Sequence, residues 1–292
     1  MELIVLCPNP FRDSDLALTR KAKTMLEENG YLTAVCPVFG LNEEGAIPSD
    51  IQISAWDDVA NDAKMFIIIG GDGTILHTAR SLDHSSKPLL GVNLGTKGFM
   101  AVLEPDELPL ILEAAKGNYV SSRRMMVDIE LRRNGEVIYS DCALNDVVIH
   151  GMGDCIKLTA LCDGERIMSF SGDGIIVATP TGSTGYSLSA GGPIVEPEAE
   201  NIIVSPICAH VIGAKCFVLG SEREIQVIAQ KIHDRTALIS VDGNKVTELI
   251  NGDVLYVRKS RKTADFIHLG KYNFYDLTYE KLMYKNIREG AN

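Results

Sequence analysis

The sequence predicts an α/β N-terminal domain with a parallel sheet, followed by an all-β, sandwich-like C-terminal domain. Three observations carry that expectation. Up to about residue 120, apolar β-branched runs alternate with amphipathic segments, the pattern of βαβ units. After Met125 the rhythm changes to short strands separated by turn residues. Within the first half, Ile67-Ile68-Ile69 runs into Gly70-Gly71-Asp72-Gly73-Thr74, and an amphipathic stretch with Ile75, Leu76, Ala79 and Leu82 follows. That is a buried strand, a tight turn and a helix start.

In chain order, Leu3–Cys7 reads as a strand and Ser14–Asn29 as a helix with Leu18, Ala22, Met25 and Leu26 on one face. Tyr31–Cys36 is the next strand, Ala55–Asn61 a short helix, Met65–Ile69 the central strand and Pro88–Val92 another. Glu107–Lys116 reads as a helix ended by Gly117. Then Val127–Arg132 and Glu136–Ala143 flank Asn134-Gly135, and Ile156–Leu161 and Glu165–Phe170 flank Asp163-Gly164, two hairpin signals. Further strand-like runs are Gly174–Ala178, Ile202–Ile207, Glu224–Ala229, Ala237–Val241, Val254–Val257 and Asp265–Leu269. Asn273–Arg288 reads as helical. The expected domains are 1–122 and 123–272, with the 273–292 segment a candidate to pack back on the first.

Composition narrows the function classes. The chain has 292 residues, 46% apolar and 23% charged, as in a soluble globular protein. A net charge of −11 argues against non-specific nucleic-acid or anionic-membrane binding. No apolar run approaches the ~20 residues of a transmembrane helix, and the N-terminus lacks the basic flank of a signal peptide. The seven cysteines (Cys7, Cys36, Cys142, Cys155, Cys162, Cys208, Cys216) form no CxxC pair. They read as mostly buried thiols in a reducing cytoplasm. Cys208-Ala209-His210 is an isolated CxH and favours core packing over a metal. No residue is assigned as a metal ligand.

Four polar clusters carry the chemistry. Glycines in Gly70–Thr74 allow positive φ and close approach of amide N–H groups to a ligand, and the helix N-terminus behind them suits phosphate. An acid is out of place in a purely anion-binding turn. Asp72 makes sense if it handles a hydroxyl proton or helps hold a cation beside phosphates; otherwise it is a helix cap. No GxxxxGK[ST] and no complete GxGxxG after a strand occur. Asn93–Phe99 alone reads as an ordinary loop, and Asn145-Asp146 alone equally as a strand entry. Thr179–Pro193 packs hydroxyls, glycines and Tyr186 into fifteen uncharged residues after Ser171-Gly172-Asp173-Gly174, suited to ribose and base edges. Asp242-Gly243 needs no function beyond a hairpin turn.

Taken in order, Gly70–Thr74, Asn93–Phe99, Leu144–Asp146, Gly172–Ala178 and Thr179–Pro193 resemble the ATP- or polyphosphate-dependent NAD kinases. The resemblance runs from about Met65 to Asp242. GGDG alone is shared with diacylglycerol, sphingosine and 6-phosphofructokinases; the TPTGSTGYSLSAGGPI run is far more specific. The resemblance implies phosphorylation of the adenosine 2′-hydroxyl of NAD, with Asp72 as the catalytic acid facing that hydroxyl. It implies phosphate binding by Gly70, Gly71, Gly73 and Thr74. It implies dinucleotide binding by Gly73, His77, Phe99, Asn145, Asp146, Asp173, Thr181, Thr184, Gly185, Tyr186, Ser189 and Asn244. It further implies Mg²⁺ or another divalent cation with ATP, no prosthetic group, and a homo-oligomer (dimer or tetramer) in the cytoplasm. Departures are Asp146 for the family's Glu, Lys97 for an apolar residue, Ser171 for a frequent Arg and Asn244 for a frequent Gln. The rivals are a lipid kinase of the same superfamily, which needs an apolar groove that Thr179–Ser189 argues against, and a non-catalytic NAD(P)-binding regulator, which the presence of Asp72 argues against.

Overall fold

The computed structural model describes residues 1–39, 47–82, 87–95, 98–153, 155–211, 213–230, 237–270 and 273–281. They form two compact units, Met1–Arg123 with Ala264–Asn292, and Arg124–Thr263.

In the first unit, β1 (Leu3–Pro8), β2 (Leu32–Val35), β3 (Ala63–Gly70) and β4 (Pro88–Asn93) form a parallel sheet in the order β2-β1-β3-β4. The central strands are continuous apolar runs because a parallel sheet is covered on both faces; Ile67, Ile68 and Ile69 are all fully buried. The crossovers carry α1 (Ala17–Glu28), α2 (Trp56–Val59) and α3 (Asp72–Ser81). In α1, Thr19, Ala22 and Leu26 face the core at the spacing of one helical face.

The first helix begins later than its periodicity suggests. The buried Asp13 carboxylate accepts N–H bonds from Leu18 and Thr19, each 2.9 Å, and the intervening Ser14–Leu16 forms a 3-10 turn in which Asp15 and Leu16 have φ of 54° and 50°. The Glu107–Lys116 helix is likewise split. Pro105–Leu110 is 3-10 and α4 covers only Ile111–Ala115, because Pro109 has no N–H to continue an α-helical ladder. Gly117, at φ +89°, ends it.

The second unit is a sandwich of two antiparallel sheets. Its strands are β5 (Val120–Arg133, in this unit from Arg124), β6 (Glu136–Ala143), β7 (Asp146–Gly151), β8 (Ile156–Cys162), β9 (Glu165–Gly172), β10 (Gly174–Ala178), β11 (Asn201–Ile207), β12 (Phe217–Gly220), β13 (Ile225–Gln230), β14 (Ala237–Val241), β15 (Asn244–Leu249) and β16 (Val254–His268, in this unit up to Thr263). One sheet has the order β12-β11-β10-β7-β14-β15; the other contains β16-β13-β8-β9, with β5 pairing β16 and β6. Val127, Leu158, Val227 and Leu255 from one sheet pack with Val147, Ile175, Val204 and Ile239 from the other in one core. Both hairpin turns have the left-handed pair that Asn-Gly and Asp-Gly favour: Asn134 and Gly135 at φ 52° and 86°, Asp163 and Gly164 at 50° and 84°. The short α5 (Tyr186–Ser189) lies between β10 and β11.

Two expected strands, Val254–Val257 and Asp265–Leu269, are one strand: β16 runs through the polar residues between them. Val254–Val257 pair with β13, and Asp265 and Phe266 with β4 in the first unit. β12 and β15 were not legible; both are edge strands whose residues, Leu249 apart, are half-exposed or exposed. Of the expected C-terminal helix, α6 (Phe274–Tyr279) is seen; residues from 282 lie outside the described residues.

Candidate active site

β3 ends at Gly70, Gly71 is the N-cap of α3, and Asp72 is the first helical residue. This is the carboxyl end of the parallel strands, where such sheets bind ligands. Gly70 serves close approach: a Cβ there would lie 2.4 Å from Thr74 Oγ1, whereas one on Gly71 would make an ordinary contact, 3.4 Å from the Arg12 guanidinium. None of Gly70, Gly71 and Gly73 has a positive φ, so the left-handed backbone expected of this turn is not its reason for glycine. A side chain at Gly73 would meet nothing within 4 Å, leaving its backbone open to a ligand.

Asp72 does not cap its own helix through its side chain. Its carboxylate accepts N–H bonds from Phe99 at 2.7 Å, Met100 at 3.2 Å and Ala101 at 3.3 Å. Gly98 must be glycine there, since a Cβ would lie 1.9 Å from Asp72 Oδ1. The loop after β4 is thus built onto Asp72. Around it is a cavity of about 340 Å³ lined by Asn9, Arg12, Phe39, Gly71, Asp72, Gly73, Thr74, Gly98 and Lys281. Arg12 donates to Leu94 O at 2.9 Å, Asn9 Nδ2 to Thr74 Oγ1 at 3.2 Å, and Lys281 lies over the Phe99 ring at 4.1 Å from its centroid. Two cations, open amides and one carboxylate fit an anionic donor flanking a hydroxyl acceptor.

Arg12, Asn9, Gly98 and Lys281 were missed from sequence. For Asn9 and Arg12 a signal existed, because they follow the carboxyl end of β1. Phe99, expected to bind the dinucleotide, donates its backbone N–H to Asp72. His77 does not line this cavity. It faces a separate, apolar cavity of about 430 Å³ with Cys36, Ile53 and Trp56, and its ring meets Phe39 edge-on at 4.9 Å. Its Nδ1 is buried without a hydrogen-bond partner, and burial, then the Arg80 charge, lowers its pKa. The neutral ring this favours is poorly suited to phosphate. Thr96 and Lys97 lie outside the described residues.

In the second unit, Asn145 and Asp146 stand at the entrance to β7. The Asp242 carboxylate accepts N–H bonds from Leu144, Asn145 and Asp146 at 2.9, 2.8 and 3.0 Å, and Asp242 N–H donates back to Asp146 O at 2.9 Å. Asp242 is therefore more than a turn residue: at φ 47° it holds the segment that presents Asn145 and Asp146. Asp146 is buried, and its pKa is raised to about 7 by desolvation, then by the Asp242 charge.

Thr179–Gly185 closes over the same segment. Thr179 N–H donates to Asn145 O at 2.8 Å and its hydroxyl to Leu144 O at 2.5 Å. Gly182 touches Asn145 so closely that a Cβ would lie 2.2 Å from its carbonyl oxygen. Asn145 Oδ1 and Thr181 Oγ1 are buried without hydrogen-bond partners, two polar atoms for a ligand rich in hydroxyl and amino groups. Thr184 donates to Thr181 O at 3.3 Å. Tyr186, partly exposed, has its pKa raised by burial and then by the charges of Cys208, Asp173 and Asp146. Ser189 ends α5 and is exposed, and Asn244 is an exposed first residue of β15 paired with Val241. Among the described residues, no three His, Cys, Asp or Glu side chains are grouped to hold a metal.

Known proteins resemble the chain throughout. Residues 13–116 match the family model of the ATP-NAD kinase N-terminal domain, and 144–269 that of the ATP-NAD kinase C-terminal domain. An NAD kinase of Ruminiclostridium cellulolyticum is 34% identical over 97% of this chain and 98% of its own. One of Natranaerobius thermophilus is 35% identical, over 97% and 98%. Among solved structures, yeast NADH kinase complexed with NADH aligns with a TM-score of 0.84 at 25% identity, covering 97% of this chain and 87% of that one. An Archaeoglobus fulgidus NAD kinase in complex with ATP aligns at 0.72 and 25%, covering 99% of both.

Proposed function

The chain belongs to the NAD kinase family, and we propose that it phosphorylates the adenosine ribose 2′-hydroxyl of NAD with ATP, giving NADP and ADP. The observation that carries the residue assignment is the Asp72 cavity. It joins a carboxylate to Arg12, Lys281 and the open Gly73 backbone at the N-terminus of a ten-residue helix.

In the reaction a bond forms between the ribose O2′ and Pγ, the bond from Pγ to the β,γ-bridging oxygen breaks, and the hydroxyl proton leaves. Asp72 accepts that proton. Phosphoryl transfer draws mainly on positioning and charge neutralisation, and the three amides that grip Asp72 supply the first. Arg12, Lys281 and the amides of Gly71 and Gly73 supply the second by holding the donor phosphates. Asn145, Asp146, Asp173, Thr181 and Tyr186, with the Thr184–Gly185 backbone, bind the dinucleotide.

A divalent cation, Mg²⁺ by preference, enters on ATP rather than in a protein cage. Magnesium commonly binds through one or two carboxylates plus substrate phosphates, and Asp72 is the carboxylate among the described residues of its cavity. When bound it neutralises phosphate charge. Among the described residues no helix is long and apolar enough to cross a membrane, which fits a cytoplasmic site of action. A homo-oligomer, dimer or tetramer, is proposed from the family; light scattering tests it, and a fully active monomer would contradict it.

Incubating the protein with ATP and Mg²⁺ plus either NAD or diacylglycerol tests the activity. NADP formation alone is expected. Phosphorylated lipid would favour the lipid-kinase rival, and NAD binding without turnover a non-catalytic regulator. Replacing ATP with polyphosphate identifies the donor.

A further inference from the structure

Cys208-Ala209-His210, expected in the core, lies at the surface: Cys208 and His210 are exposed. Three of the seven cysteines are buried; Cys208 is exposed and Cys155 partly so. Three chain segments meet here. Cys155 directly precedes β8, whose Ile156 pairs with Gly172, so it stands beside Asp173. Asp173 N–H donates to Ile207 O at 3.0 Å and His210 N–H to Ser171 O at 2.8 Å. A Cβ on Gly172 would lie 2.8–3.0 Å from Ile207 O, Ala209 Cα and Cys208 O, so the backbones touch. Cys155 Sγ lies 3.3 Å from His210 Nε2 and 3.9 Å from Asp173 Oδ1.

We propose that Cys155 and Cys208 form a peroxide-sensitive dithiol in which Cys155 is oxidised first and Cys208 closes the disulfide. The two thiols are unequal. Cys155 has an imidazole within hydrogen-bond reach to take its proton, the arrangement that activates a cysteine. The Asp173 carboxylate borders both thiols, and at Cys208 its hydrogen bond and charge raise the pKa; what sets Cys155 apart is the His210 ring beside it.

The step balances. His210 Nε2 takes the Cys155 proton, and the thiolate attacks one oxygen of hydrogen peroxide. An S–O bond forms, the O–O bond breaks, and the departing hydroxide takes the proton from His210 to leave as water. Cys208 then attacks the sulfenic sulfur. An S–S bond forms, the S–O bond breaks, and the second hydroxide leaves as water with the Cys208 proton. Two thiols lose two electrons and peroxide gains them. The disulfide would form beside Asp173. On the function proposed above, oxidation therefore weakens NAD binding, whereas the chemistry of the thiols does not depend on that function.

The test treats the full-length protein with hydrogen peroxide and maps the cysteines by mass spectrometry without reduction. A Cys155–Cys208 linkage reversed by dithiothreitol is expected, with Cys162 and Cys216 still free. Cys208→Ser should leave a sulfenic acid at Cys155 that dimedone captures. His210→Asn should slow oxidation of Cys155 by about tenfold or more, a low estimate for a proton acceptor. Absence of the linkage, or the same rate in His210→Asn, overturns the proposal. Calorimetric titration with NAD before and after oxidation tests the consequence, and unchanged affinity would overturn the coupling to Asp173.

Discussion

The Asp72 carboxylate accepts the Phe99 N–H at 2.7 Å, so the residue assigned to proton transfer is also the anchor of the loop after β4. The two roles need different things. Anchoring needs an acceptor oxygen; proton transfer needs an ionisable one.

Substituting Asp72 separates them. Asp72→Asn keeps one carbonyl oxygen while its NH2 must face the amides on the other side; it should retain the fold and dinucleotide binding with a modest drop in melting temperature, while turnover falls on the order of 10²–10⁴-fold. Asp72→Ala also strands three amides, and each lost bond to a charged acceptor costs roughly 1.5–3 kcal/mol, so its melting temperature should fall further. Near-normal NADP formation by purified Asp72→Asn would sink the assignment.

Gly98→Ala should damage activity without touching a reactive group. Its methyl would lie 1.9 Å from Asp72 Oδ1, forcing the carboxylate or the loop to move. Gly73→Ala is the contrast: with nothing within 4 Å, it should leave the melting curve unchanged and raise KM for ATP if that open backbone meets phosphate. Steady-state kinetics paired with thermal melts distinguishes the two. Equal loss of stability in both would refute the distinction.

Asp146 should make stability fall as pH rises. Its native pKa is raised to about 7, against about 3.9 in the unfolded chain. Below about pH 4 both states hold the proton and there is no penalty. Between about 4 and 7 the unfolded chain releases it while the native state keeps it, so unfolding gains. Asp146→Asn cannot ionise; wild type should lose stability relative to it across that window, by an amount on the order of a few kcal/mol. Urea unfolding at pH 5 and pH 8 reads it, and parallel curves would remove the raised pKa. Asp146→Ala should raise KM for NAD more than for ATP, roughly 10- to 150-fold if one charged hydrogen bond is lost.

Gly185→Val tests the base-binding loop. Gly185 has φ −96°, so handedness does not demand glycine. A Cβ would lie 3.3 Å from Gly182 O and 3.8 Å from Asn145 Nδ2, tight but tolerable, and valine's branches would crowd Asn145. NAD affinity should fall sharply while the melting temperature drops only modestly. Unaltered affinity in a calorimetric titration would make the loop structural.

Most strands and both hairpin turns were legible because their causes are local. Continuous β-branched runs mark parallel strands covered on both faces, and Asn134-Gly135 and Asp163-Gly164 adopt the left-handed pair such dipeptides favour. Asp72 stood out as one acid among glycines. Errors arose where periodicity met a specific hydrogen-bond or pairing partner. Asp13 delays the first helix by taking the Leu18 and Thr19 amides, and β16 continues through polar residues because each of its ends has a strand to pair with.

By itself the sequence determined the order of elements, the change from βα to hairpin rhythm, and the family to which the motif series belongs. Only the tertiary structure decided what the singular residues do. Gly70 and Gly98 are glycine because Thr74 and Asp72 come close to them, not because of their φ. Asp242, 97 residues from Asn145, holds it by a backbone amide, and Arg12, 82 residues from Leu94, fixes a cation over the glycine turn. The physical reason is one of range. Backbone preference and periodicity act over a few residues, whereas hydrogen bonds and excluded volume act between whichever atoms the folded chain brings together.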